Sequence, residues 1–307
     1  MGARDRIFSV LAIRRAAAST GGCHDLMSDG EVQADVFWRG NGGCGAFHMK
    51  GGVPIFDAGP EPGSWHPTDL ARGPFAGLQG GAVAGLMTGE IEALATARGW
   101  GAAVSASIWF LRPVPVAPLR TAVTAVREGG RINIIDNMLW RTGEDQPCAM
   151  ARVTLAVARP IDIAGFAHPV EAPVDPLDYP VSQRAAPHGG AWFMDAMEAR
   201  AGKTASWFRL GHEVIANAGP LARVLGPADW AHGIFRPMTG VAADPNPNLH
   251  VHLVQPPRGE WIGVEPQTHW QPELGGGMGG GLLRDVQGVI GRVSMTVALM
   301  PFPGGRG

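Results

Sequence analysis

The sequence predicts an α+β protein in which one unit, a helix followed by antiparallel strands, is written twice. Three observations predict it. A helix-like stretch opened by glycines precedes strand-length apolar runs that are divided by Gly, Pro and Asp turns. The same order of signals returns in the second half of the chain. The closing strands of the two halves also superpose, Ala151-Arg152-Val153-Thr154-Leu155 against Gly291-Arg292-Val293-Ser294-Met295. Helices segregated from runs of strands in this way belong to the α+β class.

In the first copy the turn-rich approach Gly73–Gly81 leads into a helix over Ala82–Thr96, because Val83, Leu86, Met87, Ile91 and Leu94 recur at spacings of three and four. Its small residues Gly80, Gly81, Ala82, Ala84 and Gly85 allow strands to approach closely. Strands are predicted over Val104–Leu111, Leu119–Arg127, Arg131–Arg141 and Ala149–Arg159. The second copy reads as a helix around Pro227–Ile234, strands at Asn248–Val254 and Glu260–Trp270, a Gly-rich turn at Gly275–Gly281, then strands at Gly281–Asp285 and Val289–Met300. The Pro-, Ala- and Asp-rich stretch between the copies reads as a linker. The expected organisation is a leader at 1–34, a first unit at 35–160, a linker at 161–190 and a second unit at 191–303.

Composition narrows the function classes. With 45% apolar residues in 307 there is material for a sizeable core, which excludes disorder as the dominant state. The 25 Lys and Arg against 27 Asp and Glu leave a net charge of −2, so no basic surface for nucleic acid is expected. No apolar run reaches the roughly 18 residues a membrane-spanning helix needs. The 45 glycines and 26 prolines follow no collagen period and indicate many turns. Cys23, Cys44 and Cys148 are too scattered for a disulfide framework or a zinc site, which suits a reduced, cytoplasmic setting. At the amino end Arg4 and Arg6 precede the short apolar stretch Ile7–Ile13, which runs into Arg14-Arg15 and is too short for a secretory signal. The leader is therefore read as disordered, or as the product of an early start codon with Met27 as the true start.

The organisation resembles the hot-dog fold, a central helix wrapped by an antiparallel sheet, and more narrowly the double hot-dog acyl-CoA thioesterase II family and its thioesterase-like relatives. The residues that carry the match are Gly73-Pro74 through Leu86, Phe110-Leu111-Arg112-Pro113-Val114-Pro115, Asn246-Pro247-Asn248-Leu249-His250-Val251-His252 and Pro256-Pro257-Arg258-Gly259-Glu260-Trp261. Together they cover Thr68 to Pro301. The resemblance implies two tandem hot-dogs and hydrolysis of an acyl-CoA thioester, with no metal and no covalent cofactor. It also implies an acid on the second helix, with a hydroxyl and a Gln on neighbouring strands to position water. Carried over, the acid falls at Asp229, the hydroxyl position at His250 and the Gln position at Met295, which has no donor with which to hold water. A shift of one residue offers Ser294 or Thr296 instead, although alternation makes Val293, Met295 and Val297 the core-facing set.

The candidate catalytic residues are thus Asp229, His250 and Thr296, and the candidate substrate contacts are Gln79, Gly80, Gly81, Met295 and His232. Asp229 sits among Ala228, Trp230 and Ala231, where burial raises the pKa of a carboxyl toward that of a general base; the plainer alternative is an N-cap of the helix after Pro227. His232 lies one helical turn on, as a site residue or as a satisfied helix histidine. His250 and His252 share a strand face, but no acid or thiol at helpful spacing completes a metal set. Gln79-Gly80-Gly81 opens a helix whose free amides suit an oxyanion, while glycine there equally serves close packing. Arg112 and Arg258 either meet CoA phosphates or stand solvated in turns.

Other readings are weaker. Gly40-Asn41-Gly42-Gly43-Cys44-Gly45 fits G-x-G-x-x-G without the helix that should follow, and reads as a loop. No G-x-S-x-G occurs, which excludes a nucleophile elbow. Asp244-Pro245-Asn246-Pro247-Asn248-Leu249-His250 is similar to a hot-dog hydratase motif with one residue too many. Thioester hydrolysis is the leading expectation. A non-catalytic acyl or acyl-CoA binding protein comes second and a hydratase or dehydratase third. Further association of chains into homo-oligomers is compatible with two hot-dogs per chain.

Overall fold

The glycine- and alanine-rich run after Gln79 has few side chains that need solvent, so it can be enclosed on nearly every side. The computed structural model, which describes residues 52–301 apart from 168–169, 185, 187–188, 235 and 237–239, shows this enclosure. The leader expected at 1–34 and the Gly40–Gly45 loop lie outside the described residues.

The chain begins with a hairpin of β1 (Phe56–Ala58) and β2 (Ser64–Pro67) and continues into helix α1 (Gly80–Arg98). Four strands follow: β3 (Ala102–Phe110), β4 (Leu119–Arg127), β5 (Ile132–Arg141) and β6 (Ala149–Ala156). A second hairpin, β7 (Met197–Ala201) and β8 (Ser206–Leu210), leads into helix α2 (Pro220–Asp229). Then come β9 (Ala242–Ala243), β10 (Asn248–Leu253), β11 (Trp261–Pro266), β12 (His269–Gln271), β13 (Gly276–Asp285), β14 (Gly288–Ala298) and β15 (Met300–Pro301).

All but β9 and β15 join one antiparallel sheet in the order β1-β2-β4-β5-β6-β3-β10-β14-β13-β11-β8-β7, with β12 attached to β13. The order reads alike from either end: each half contributes a hairpin, a helix and four strands in the same spatial arrangement. The seam between halves is the β3–β10 ladder, where Asn248 faces Trp109 and His252 faces Ser105. Period-two alternation sends Ile108, Leu139, Val153, Leu249, Val251, Val293 and Met295 toward the helices and into the core. Burying each aliphatic side chain of this set stabilises the fold by about 1.5–3 kcal/mol. Among the described residues no helix is long and apolar enough to cross a membrane.

The two helices run antiparallel against each other. A Cβ added at Gly81 would meet Gly226 Cα at 2.8 Å, one at Gly85 would meet the Ala222 carbonyl at 3.0 Å, and one at Gly89 would meet Ile215 at 3.1 Å. Gly81 and Gly85 thus let α2 lie against α1, and Gly89 does the same for the segment that leads into α2. The helix ends at Gly99, which takes the left-handed conformation (φ 66°) and donates its N–H to the Ala95 carbonyl.

Two sequence expectations are corrected. Pro227 does not open the second helix; it lies in its last turn, and Pro220 occupies the first turn, where a missing N–H costs nothing. Asp229 is therefore the last residue of α2 and not a cap at its start. The glycine run at 275–281 is mostly strand rather than turn, since β13 pairs with β14 from Gly276 opposite Ala298 onward. Glycine is needed there because a Cβ at 277 would lie 2.6 Å from the Trp270 ring, and one at 279 would lie 2.6 Å from His232 Cβ.

Candidate active site

The first turn of an α-helix leaves backbone N–H groups without intrahelical acceptors. At α1 the Gln79 side chain satisfies one of them, accepting from Ala82 N at 3.0 Å. The Gly81 N–H is satisfied from the other half of the chain: it donates to Asp229 Oδ2 at 2.9 Å. The Gln79 Nε2 amide donates to the same oxygen at 2.5 Å, and Asn246 Nδ2 donates to Asp229 Oδ1 at 2.7 Å. A carboxyl from the end of α2 therefore sits at the amino end of α1, gripped by two carboxamides and a backbone amide.

Glycine makes this junction possible. A Cβ at Gly80 would stand 3.1 Å from Asp229 Oδ2, and one at Gly81 would stand 2.9 Å from Asp229 Cβ. Close packing and amide donation, alternatives in the sequence, are both served by the same Gly-Gly pair. Asp229 is only 3% exposed. Burial raises its pKa, opposed by the nearby His232 and by the bonds from Asn246, Gly81 and Gln79.

His232 lies in the turn after α2, with Nδ1 3.1 Å from the Met295 sulfur and Nε2 3.7 Å from Asp244 Oδ2. Asp244 is buried and pairs with Arg236, so a carboxylate stands behind the imidazole. Met295 is buried on the core face of β14, as its alternation with Val293 and Val297 requires.

Asp229, Gln79, Gly80 and Gly81 thus come together, and His232 and Met295 adjoin each other beside them. His250 and Thr296 do not join this group. On β10 the core-facing residues are Leu249, Val251 and Leu253, so His250 points to the opposite face of the sheet, opposite Ser107 and Ser294 and edge-on to Trp109 at 5.2 Å between centroids. Desolvation there, with the neighbouring His252, lowers its pKa. Thr296 is exposed on that same outer face, where its N–H donates to Asn248 Oδ1 at 2.8 Å. Both were expected beside Asp229, and strand alternation excludes both.

Asn246 is the residue that the sequence reading missed. It precedes β10 between Pro245 and Pro247, and also donates to the Asn248 carbonyl at 3.2 Å. The two prolines flanking a single amide were the available signal, since they fix the backbone from which Asn246 reaches back to α2. Carboxamides do reach the acid, but from Gln79 and Asn246, whereas position 295 holds a thioether.

An antiparallel sheet folded over paired helices, with a buried carboxyl at a helix amino end, defines the class as a hot-dog protein. Solved structures share the fold, among them the following two. A hot-dog protein of unknown function from Alicyclobacillus acidocaldarius superposes with a TM-score of 0.58 at 15% identity, covering 80% of this chain and 96% of that one. The acyl-CoA thioesterase II of Mycobacterium marinum superposes with a TM-score of 0.54 at 14% identity, covering 82% and 97%. A search of curated proteins finds no match. Residues 70–156, which run through α1 to β6, match the family model of the acyl-CoA thioesterase N-terminal domain. Over that stretch the chain is similar to acyl-CoA thioesterases, and its fold is that of the hot-dog proteins.

Proposed function

We propose that the protein is a tandem hot-dog, with units at 35–160 and 191–303 joined by a linker at 161–190, and that it hydrolyses an acyl-CoA thioester to the free acid and CoA. The palindromic strand order supports the tandem reading. The observation that carries the activity is the Asp229 carboxyl held at the amino end of α1 by Gln79, Gly81 and Asn246. A water that takes the place of one carboxamide bond at Asp229 is oriented by the carboxamides. As the water attacks the thioester carbon, Asp229 takes its proton. The C–S bond then breaks, the acyl group leaves as the carboxylic acid, and the CoA thiolate recovers a proton from the Asp229 carboxyl. The negative carbonyl oxygen that develops would draw on the Gly80 N–H, because those of Gly81 and Ala82 already donate to Asp229 Oδ2 and Gln79 Oε1. Fatty-acyl metabolism in the cytoplasm fits such a hydrolase.

The test is release of free thiol from short-, medium-, long-chain and aromatic acyl-CoAs by the wild type and by Asp229→Asn. Turnover by the wild type with a loss of at least about a hundredfold in the variant is expected. Equal rates in the two, with the variant folded, would remove Asp229 from the mechanism. One observation favours a second reading, a non-catalytic acyl-thioester binding protein: both Asp229 oxygens already accept bonds from protein groups, and Met295 offers no donor. Tight acyl-CoA binding with no thiol released is what that reading predicts.

A further inference from the structure

The palindromic strand order implies that a feature at the amino end of α1 has a counterpart at the amino end of α2. The counterpart of Asp229 is Glu92. It projects from α1 to the start of α2, where Oε1 accepts from Leu221 N and Oε2 from Ala222 N, both at 2.9 Å. A Cβ at Gly219 would come within 2.5 Å of the Glu92 carboxyl, so glycine is required there as at Gly81. Each helix thus ends in the other half's carboxyl.

The two junctions differ in what surrounds them. Asp229 accepts bonds from two side-chain amides as well as a backbone amide. Glu92 accepts only backbone bonds on the described residues and lines a cleft of about 270 Å³. The cleft opens between the halves, with Ala102 and Ala103 from the start of β3 on one side and Leu253 and Pro256 from the end of β10 on the other. Thr96 lines it as well, but its hydroxyl already donates to the Glu92 backbone carbonyl at 3.0 Å. Apolar residues on either side of Glu92 fit a linear alkyl chain that carries a single carbonyl at its polar end.

From this arrangement we infer that the cleft is a second acyl-thioester binding site, with the acyl chain along Ala102, Ala103 and Leu253 and the thioester carbonyl against Glu92. The inference rests on the proposed substrate class, but places a second molecule at a site separate from Asp229. Burial pushes Glu92 up to about 7. At neutral pH a substantial share of it therefore carries the proton that a carbonyl acceptor requires, while the other oxygen goes on accepting from the helix.

The experiment is calorimetric titration with a CoA analogue in which a methylene separates the sulfur from an octanoyl carbonyl, so that the carbonyl survives and cannot be hydrolysed. Two equivalents per chain are expected for the wild type. One equivalent is expected for Ala102→Trp, an exposed position at which the indole blocks the cleft without entering the core. Glu92→Leu, which has no donor for the carbonyl, is expected to weaken one of the two sites at least fivefold and leave the other unchanged. A single equivalent in the wild type that Ala102→Trp leaves intact, or no binding at all, would overturn the inference. Thiol release from octanoyl-CoA separates the two proposals: turnover with one equivalent bound leaves hydrolysis at Asp229 standing alone, and two equivalents with no turnover leave the second site standing without it.

Discussion

Replacing Gly81 with Ala tests the helix–helix junction most directly. The new methyl carbon would lie 2.8 Å from Gly226 Cα, 2.9 Å from Asp229 Cβ and 2.9 Å from the Leu225 carbonyl oxygen. Carbon atoms in ordinary contact stand about 3.5–4.0 Å apart, so α1 and α2 must separate by roughly 0.7 Å. None of the three atoms is the far end of a flexible side chain that can swing away. Overpacking of this kind costs about 1–3 kcal/mol, while Ala in place of Gly in a helix returns about 1 kcal/mol. The separation also stretches the bond from Gly81 N to Asp229, a charge-assisted bond when the acid is ionised, of a type worth about 1.5–3 kcal/mol. The net expectation is a loss of about 2–3 kcal/mol, or roughly 5–10 °C in Tm for a domain of this size. Gly211→Ala is the control, because its Cβ meets only the Ala196 carbonyl at 3.7 Å. Thermal and urea unfolding of both variants provide the measurement. Melting of Gly81→Ala within a degree of the control would refute the argument that Gly81 lets α2 lie against α1.

Three further predictions concern single side chains. Glu92 has a folded pKa raised from 4.5 to about 7, so the folded state binds more protons than the unfolded state between those values. Its stabilising contribution is therefore complete below the lower value and is lost as pH rises through the upper one, a change of about 3 kcal/mol that Glu92→Gln should largely remove from unfolding curves measured across the range. Asn246→Ala deletes a hydrogen bond that lowers the Asp229 pKa, so the acid limb of the pH–rate profile should move to higher pH; an unmoved limb would separate Asn246 from the acid. Thr296→Ala, on the outer face, should leave thiol release unchanged and alter stability by no more than about 0.5 kcal/mol, and a large loss of turnover would contradict its placement.

What could be read from the sequence was local. The strand at Leu119–Arg127 has the bounds expected of it, and α1 extends its expected span by two residues at each end, because apolar periodicity and flanking turns decide such elements from within. The glycine run of β13 was opaque, since glycine carries no pattern and the strand exists because Trp270, His232 and Glu265 occupy the space a side chain would fill. In α2, Pro227 drew attention away from Gly219-Pro220, which carries the start signal, because a proline in the last turn and one in the first look alike in sequence. At the site, Asp229 and the Gly80-Gly81 pair were legible, the first through the family resemblance and the second through helix-opening chemistry. The bond between Gln79 and Asp229 was not, because it joins residues 150 positions apart and depends on how the two halves dock. The family resemblance likewise implied His250 beside the acid, whereas the pleat of β10 turns it to the outer face.

The seam between β3 and β10 has a consequence for how the protein is made. Until those strands meet, each half exposes a row of unpaired backbone donors and acceptors, the usual template for wrong pairing with other chains. Tethering the halves in one polypeptide turns a bimolecular encounter into an intramolecular one, at an effective concentration in the millimolar range for a short flexible connection. Docking of the halves is thereby favoured over pairing with other chains. Because the halves no longer need to be identical in order to find each other, each is free to drift in sequence, and a carboxyl sealed by carboxamides at one helix end can coexist with an open cleft at the other.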